Sequence, residues 1–310
     1  MDVKIKSILI PTDFSVLSES ALIVGLAIAR RQNAEITLLH VVDRFSYLQP
    51  NEAFLSSIQL NEEIKLKIDE KFKNLIREIE ETGLNVTSKI LEGTPSSCIC
   101  QFAHDGNFSM VVMGTHGTSG LREFFIGSEA FRVVKYASCP VLTVPGHWHK
   151  TDFKKVLFPI RMHPQALEKY SYARPIIEKN NSELILLGLS EKSKPDTIKD
   201  ILMFTDQFKN QLHNDNVKFQ TLLCPCDNFA EKVVNTADEI KADLIVLTAN
   251  LDYDFKAYFI GPYVQQVINH SSRPVLCIKP SSNQVPNSGT LILSEKWPRS
   301  VNLYEILLKE

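Results

Sequence analysis

Two periodicities alternate along this chain. Short runs such as SILIP (7–11), MVVM (110–113) and VLTV (141–144) are apolar at nearly every position. Strands with one wet face would alternate; strands buried on both faces, as in a parallel sheet covered by helices, read continuously. Between these runs, apolar residues recur at helical spacing. Ser18–Gln32 places Ala21, Leu22, Gly25, Ile28 and Ala29 on one face. Asn61–Thr82 does the same with Ile64, Ile68, Phe72, Leu75, Ile76 and Ile79, and Gly83 stops it. The first half is thus expected to place strands at Ser7–Pro11, Glu35–Val42, Val86–Leu91, Ser109–Met113 and Val141–Val144. Further helices are expected at Ser96–His104 and Ser128–Ala137, and Asp43 to about Leu60 is only weakly periodic. Strand-helix alternation around buried strands predicts a doubly wound α/β fold.

The pattern repeats. KSILIPTDFS (6–15) parallels KKVLFPIRMH (154–163), with Pro11 matching Pro159. MVVMGTHG, FFIGS and CPVLTVP (110–145) parallel LIVLTANL, YFIGP and RPVLCIKP (244–280), with Ile126-Gly127 matching Ile260-Gly261. A tandem duplication is expected: one domain over 1–147, a second over 152–280, and a C-terminal tail over 281–310. The second copy should carry strands at Val156–Pro159, Glu183–Leu189, Lys218–Cys224, Asp243–Thr248 and Val275–Ile278, and a helix at Asp196–Leu212. The linker GHWHKTD (146–152) reads as short and polar. The tail begins turn-rich, and Leu291–Leu293 and Leu303–Leu308 are segments able to dock on a groove.

Composition narrows the function. The chain has 310 residues, 44% hydrophobic and 23% charged, with a formal net charge of -2. No general basic surface is available for a nucleic-acid backbone. No apolar run reaches membrane-spanning length, and the N-terminus has no apolar leader, so the expectation is a cytoplasmic protein without membrane partners. Of six cysteines, Cys139 and Cys277 lie at or in apolar strands. Cys98-x-Cys100 and Cys224-Pro-Cys226 lack the spacing of a zinc knuckle or a redox dithiol. No metal site is expected.

The chemistry concentrates in MGTHGTSGLREFFIGS (113–128), which holds four of the chain's 12 glycines. Gly114 lets the chain turn off its strand, and Gly117 lets backbone approach a ligand without a Cβ between. Gly127-Ser128 opens a helix, whose free N–H groups and positive dipole end favour an anion. Ser128 either caps that helix or offers its hydroxyl to a phosphate oxygen. Asp13, ending the first strand, suits a ribose hydroxyl or an adenine amino group, or else caps the following helix. His116 reads as a solvated loop residue more readily than as a catalyst, and His40 as structural.

Gly114-x2-Gly117-x9-Gly127-Ser128, with ILIPTDFS and LLHVVD (38–43), resembles the ATP-binding signature of the universal stress protein family. The resemblance covers 1–145 well and 153–280 weakly. It implies two tandem five-stranded parallel sheets, Rossmann-like and adenine nucleotide alpha hydrolase-like, each of order 3-2-1-4-5. It also implies ATP, with or without Mg2+, between the strand ends, and pairing of the domains through their last strands. That pairing makes homodimers of single-domain relatives and here an intramolecular pseudo-dimer, with a homodimer of the whole chain still open. By resemblance, Asp13 and the backbone of Val41 hold base and ribose. Pro11, Thr12, Met113 and Gly114 line the pocket. Gly117, Gly127, Ser128 and the Glu129 N–H cradle the phosphates, near His116. The second copy departs throughout: Arg161 stands for Asp13, Thr248 for Gly114, Leu251 for Gly117 and Pro262 for Ser128. It is not expected to bind ATP. The function expected is a nucleotide-dependent regulatory module with an unidentified protein partner, rather than an enzyme. A scaffold or small-ligand sensor without nucleotide, and a slow ATPase or nucleotidyl transferase, remain open.

Overall fold

A computed structural model describes residues 3–43, 54–115, 126–161, 167–193, 197–249 and 262–279. Its strands are β1 (Ser7–Pro11), β2 (Glu35–Val42), β3 (Val86–Glu92), β4 (Met110–Gly114), β5 (Val141–Val144), β6 (Lys155–Ile160), β7 (Glu183–Ser190), β8 (Lys218–Pro225), β9 (Leu244–Thr248) and β10 (Val275–Ile278). The helices are α1 (Val16–Gln32), α2 (Phe54–Glu80), α3 (Pro95–Asp105), α4 (Ser128–Tyr136), α5 (Lys169–Asn180), α6 (Thr197–Asn214), α7 (Phe229–Glu239) and α8 (Pro262–His270). Every expected strand lies within a residue or so of its predicted span. The strongest departure is α2, which starts at Phe54 rather than Asn61. Two more helices, α5 and α7, gave no firm sequence signal. In α5 the internal Pro175 interrupts the helical reading, although the helix continues through it.

The strands form one sheet of ten, in the order β3-β2-β1-β4-β5-β10-β9-β6-β7-β8. Each half contributes five strands in the order 3-2-1-4-5, and all pairs within a half are parallel. The halves join antiparallel at β5 and β10, with Thr143 beside Val275, Leu142 beside Leu276 and Val141 beside Cys277. The Thr143 hydroxyl also donates to the Val275 carbonyl at 3.2 Å. The two expected sheets are therefore continuous.

Alternate strand residues face opposite sides. Ile8 and Ile10 enter one core layer with Val24, Ile28 and Phe72; Leu9 enters the other with Val111, Ala130 and Val133. The buried strands thus need apolar side chains at successive positions, which is the continuous pattern of the sequence. The halves also share backbone devices. Asn33 and Asn181 end α1 and α5 in the left-handed region, and Asn107 and Lys241 repeat that conformation after α3 and α7. The linker is less polar in place than in sequence: its Trp148 is buried, as is Phe153 just after it. Asp243 pins it by accepting the Lys154 and Lys155 amides and the Lys150 ammonium, each at 2.9 Å.

Candidate functional site

β1 and β4 are neighbours, yet their pairing stops at Leu9–Val111, although the strands continue to Pro11 and Gly114. The chain order reverses here, since β1 leads outward to β2 while β4 leads to β5. A crevice beyond strand ends at such a reversal is where open α/β sheets bind ligands.

Pro11 is buried at the end of β1, and Thr12 and Asp13 follow it in the turn to α1. The Thr12 N–H donates to Leu39 O at 2.9 Å. His40 Nδ1 lies 2.8 Å from Thr12 O. Desolvation holds the His40 pKa below its ordinary value, against the raising effect of the Thr12 bond. His40 is buried and structural in position, as expected. Phe14 takes a left-handed φ of 59°, a strained conformation for a bulky residue. Its N–H donates to Thr12 Oγ1 at 3.0 Å, and its ring meets His40 and Phe72 at 5.1 and 5.0 Å. The residues PTDFS carry no mark of this turn.

Asp13 does not cap α1. Ser15 does, accepting the Ser18 N–H. Asp13 Oδ1 braces that cap by accepting both the N–H and the hydroxyl of Ser15. α1 begins at Val16, so the cap position falls on Ser15, two residues beyond Asp13. Its carboxylate stays half-buried at the lip of the crevice.

On the opposite lip, β4 delivers buried Met113 and then Gly114. Thr115 O accepts the Gly127 N–H at 2.8 Å, so strand exit and helix entry are tied together. His116 and Gly117 lie outside the described residues. Gly127 is the N-cap of α4, with no side-chain capping bond, and Ser128 is the first helical residue. The reading of Ser128 as a cap is therefore wrong, because its exposed side chain sits one position too late to bond the first-turn amides. The first bond within the helix runs from Phe131 N–H to Gly127 O. The amides of Ser128, Glu129 and Ala130 thus lack an acceptor inside the helix, whereas the Gly127 amide is already used. Val41, half-buried next to the end of β2, completes the group.

Glu129 adds a role that sequence reasoning missed. Its carboxylate turns away and accepts the Ser96 N–H at 2.7 Å, and it pairs with Arg132. Thr94, at the cap position of α3, makes no side-chain capping bond. Glu129 therefore supplies a negative charge to the α3 N-terminus while its own N–H faces the start of α4. The Glu129-x2-Arg132 spacing was the only available hint. A second unforeseen contact crosses between halves: Asn269 Oδ1 on α8 accepts the Ile126 N–H at 2.9 Å.

At the corresponding place in the second half, Arg161 follows β6, Thr248 ends β9 and Tyr263 is the second residue of α8. Gly261 and Leu251 lie outside the described residues. Among the described residues no group of three or more His, Cys, Asp or Glu side chains converges to hold a metal ion. No described helix is long and apolar enough to cross a membrane.

The universal stress protein family model matches residues 4–145. A universal stress protein of Methanocaldococcus jannaschii is 37% identical over 140 residues, spanning 45% of this chain and 81% of the relative. A second from the same organism is 34% identical over 157 residues, 46% of this chain and 97% of the relative. Among solved structures, a universal stress protein from Archaeoglobus fulgidus aligns with a TM-score of 0.71. That alignment covers 88% of this chain and 98% of that one at 20% identity, a likeness of fold.

Proposed function

Since this chain belongs to the universal stress protein family, we propose that its first half binds ATP and that the chain acts as a cytoplasmic nucleotide-dependent regulatory module. One observation carries the reading. β1 and β4 part before their carboxyl ends, with Asp13 on one lip and the first-turn amides of α4 on the other. The helix start offers N–H donors and a positive dipole end to phosphates. The carboxylate of Glu129, which would repel them, is held on α3. Asp13 is an acceptor for ribose or adenine donors, and Val41 offers backbone at the end of β2. Pro11, Thr12, Met113 and Gly114 form the floor. Ser128 adds a hydroxyl, and His116 and Gly117 belong to the phosphate side by chain position. Any Mg2+ would enter with the triphosphate, because no described acidic cluster would hold it alone.

In the same reading, 1–147 and 152–280 are two copies of one domain, and the second serves as pairing partner rather than as a second ATP site. At the position of Ser128 it has Pro262, which removes both an N–H and a hydroxyl. A protein partner senses the nucleotide state of the first half, and 281–310 is a tail outside both copies. Turnover is not the main output.

Isothermal titration of ATP into the whole chain tests this. One site per chain is expected, weakened at least about tenfold by Ser128→Pro, which deletes one charge-assisted donor and the hydroxyl. An absence of binding by the unaltered chain would reject the reading. Phosphate release by the purified chain that disappears in His116→Ala would instead favour an enzyme.

A further inference from the structure

The second half gathers positive charge at the strand ends where the first half carries Asp13. β6 and β9 pair only as far as Leu157–Ile245, although they run on to Ile160 and Thr248, so a second crevice opens there. Arg161 leaves β6 at its mouth. The guanidinium lies over two rings, 4.7 Å from the centroid of Tyr263 and 5.2 Å from that of Phe229. Stacking fixes the plane of the fork while leaving its edge donors available to an oxyanion. No carboxylate among the described residues pairs with it.

Lys169, the first residue of α5, is 3% exposed. Its ammonium donates to Pro159 O and lies 4.3 Å from the centroid of the Phe158 ring. A neutral carbonyl and a ring face leave the charge uncompensated, and the positive end of α5 adds to it. Burial, and then the nearby Arg161, lower its pKa to about 7. Two hydroxyls lie on elements that bound the crevice, at the end of β9 and the start of α8. Thr248 Oγ1 and the Tyr263 hydroxyl are buried and have no hydrogen-bond partner among the described residues. Burial also raises the pKa of Tyr263, which keeps the phenol protonated as a donor.

Each feature alone has an ordinary explanation. A lone buried lysine can rest on a carbonyl, and native proteins carry a few unsatisfied hydroxyls. Here two cationic side chains act on each other at one switch point, where the strands and helix that bound the crevice also carry two unpartnered hydroxyls. A single anion would relieve every one of them.

We propose that the crevice beyond β6 and β9 is an oxyanion site, in which Arg161, Lys169, Thr248 and Tyr263 bind a small phosphate or carboxylate anion. Arg161 supplies the planar fork, Lys169 the second charge, and the two hydroxyls the remaining donors. The site does not depend on nucleotide binding in the first half. It assigns to the second half a ligand of its own, smaller than ATP and recognised by charge rather than by a glycine-lined phosphate seat.

The test is isothermal titration of inorganic phosphate, and separately of succinate, into the whole chain in chloride buffer at constant ionic strength. One saturable site per chain is expected. Preference for phosphate identifies a phosphorylated ligand, and preference for succinate a carboxylate. Arg161→Gln and Lys169→Met should each weaken binding at least about tenfold, the scale of one charge-assisted contact. Circular dichroism checks that both variants are folded. No saturable binding of either anion overturns the proposal. So does wild-type affinity in either folded variant, which would place the anion elsewhere, the phosphate seat of the first half included.

Discussion

At the scale of single residues, burial reverses the ordinary behaviour of Lys169. Its pKa near 7 lies well below the 10.5 of an exposed lysine, chiefly through desolvation. The consequence for stability has a definite sign. Between about pH 7 and 10.5 the unfolded chain holds a proton that the folded chain has released, so folded stability rises with pH across that window. Below about pH 7 both states are protonated, and the folded state carries the full cost of the buried charge. Lys169→Met should therefore raise stability by about 1–3 kcal/mol near pH 6 in phosphate-free buffer. The advantage should shrink as the pH approaches 10. Urea unfolding at several pH values measures it, and an advantage that grows with pH would contradict the assignment. Residues of this kind are hard to read in sequence. Gly114, Gly127 and Asp13 stand out because their spacing and their places at strand ends and a helix start are visible along the chain. A lysine at a helix start looks like an exposed one until packing covers it.

At the scale of elements, α4 shows how one segment serves two sites. Its first-turn amides face the candidate phosphate seat, while the Glu129 side chain caps α3 through Ser96 N–H. Glu129→Ala should cost about 1 kcal/mol, the usual value of a lost helix cap. Glu129→Gln, which keeps an acceptor and loses only the charge, should cost less. Chemical denaturation compares them, and equal stability of all three chains would show that the α3 contact carries no weight. The strands were legible because a sheet covered on both sides demands continuous apolar runs. Helices were legible only where their stripe was clean. Pro175 obscured α5, and α2 extends upstream to Phe54 across a segment whose periodicity is weak.

At the scale of the whole molecule, the sheet is continuous because β5 and β10 join edge to edge. β5 is four residues long and buried throughout. A chain of residues 1–147 alone would expose that edge, with its unpaired backbone groups and apolar side chains. Such a chain should dimerise, with a second copy of β5 standing in for β10. Sedimentation analysis reads this directly, and a monomer at micromolar concentration would contradict it. The Asn269 contact to Ile126 gives the join a further role, since α8 of one half helps hold the entry to α4 in the other.

The sequence by itself determined the alternation of strands and helices, the recurrence of matching apolar runs, and the replacement of Gly114, Gly117 and Ser128 by Thr248, Leu251 and Pro262 at the matching places of the second half. These follow from local rules: buried strands need apolar runs, close backbone approach needs glycine, and proline removes a donor. Only the tertiary structure decided which charges meet. It held the Glu129 carboxylate on α3, placed Ser15 rather than Asp13 at the α1 cap, stacked Arg161 on Tyr263 and buried Lys169 beside Phe158. Those outcomes depend on burial and on contacts between residues distant along the chain. Side-chain electrostatics is set by such surroundings, and no local pattern encodes them.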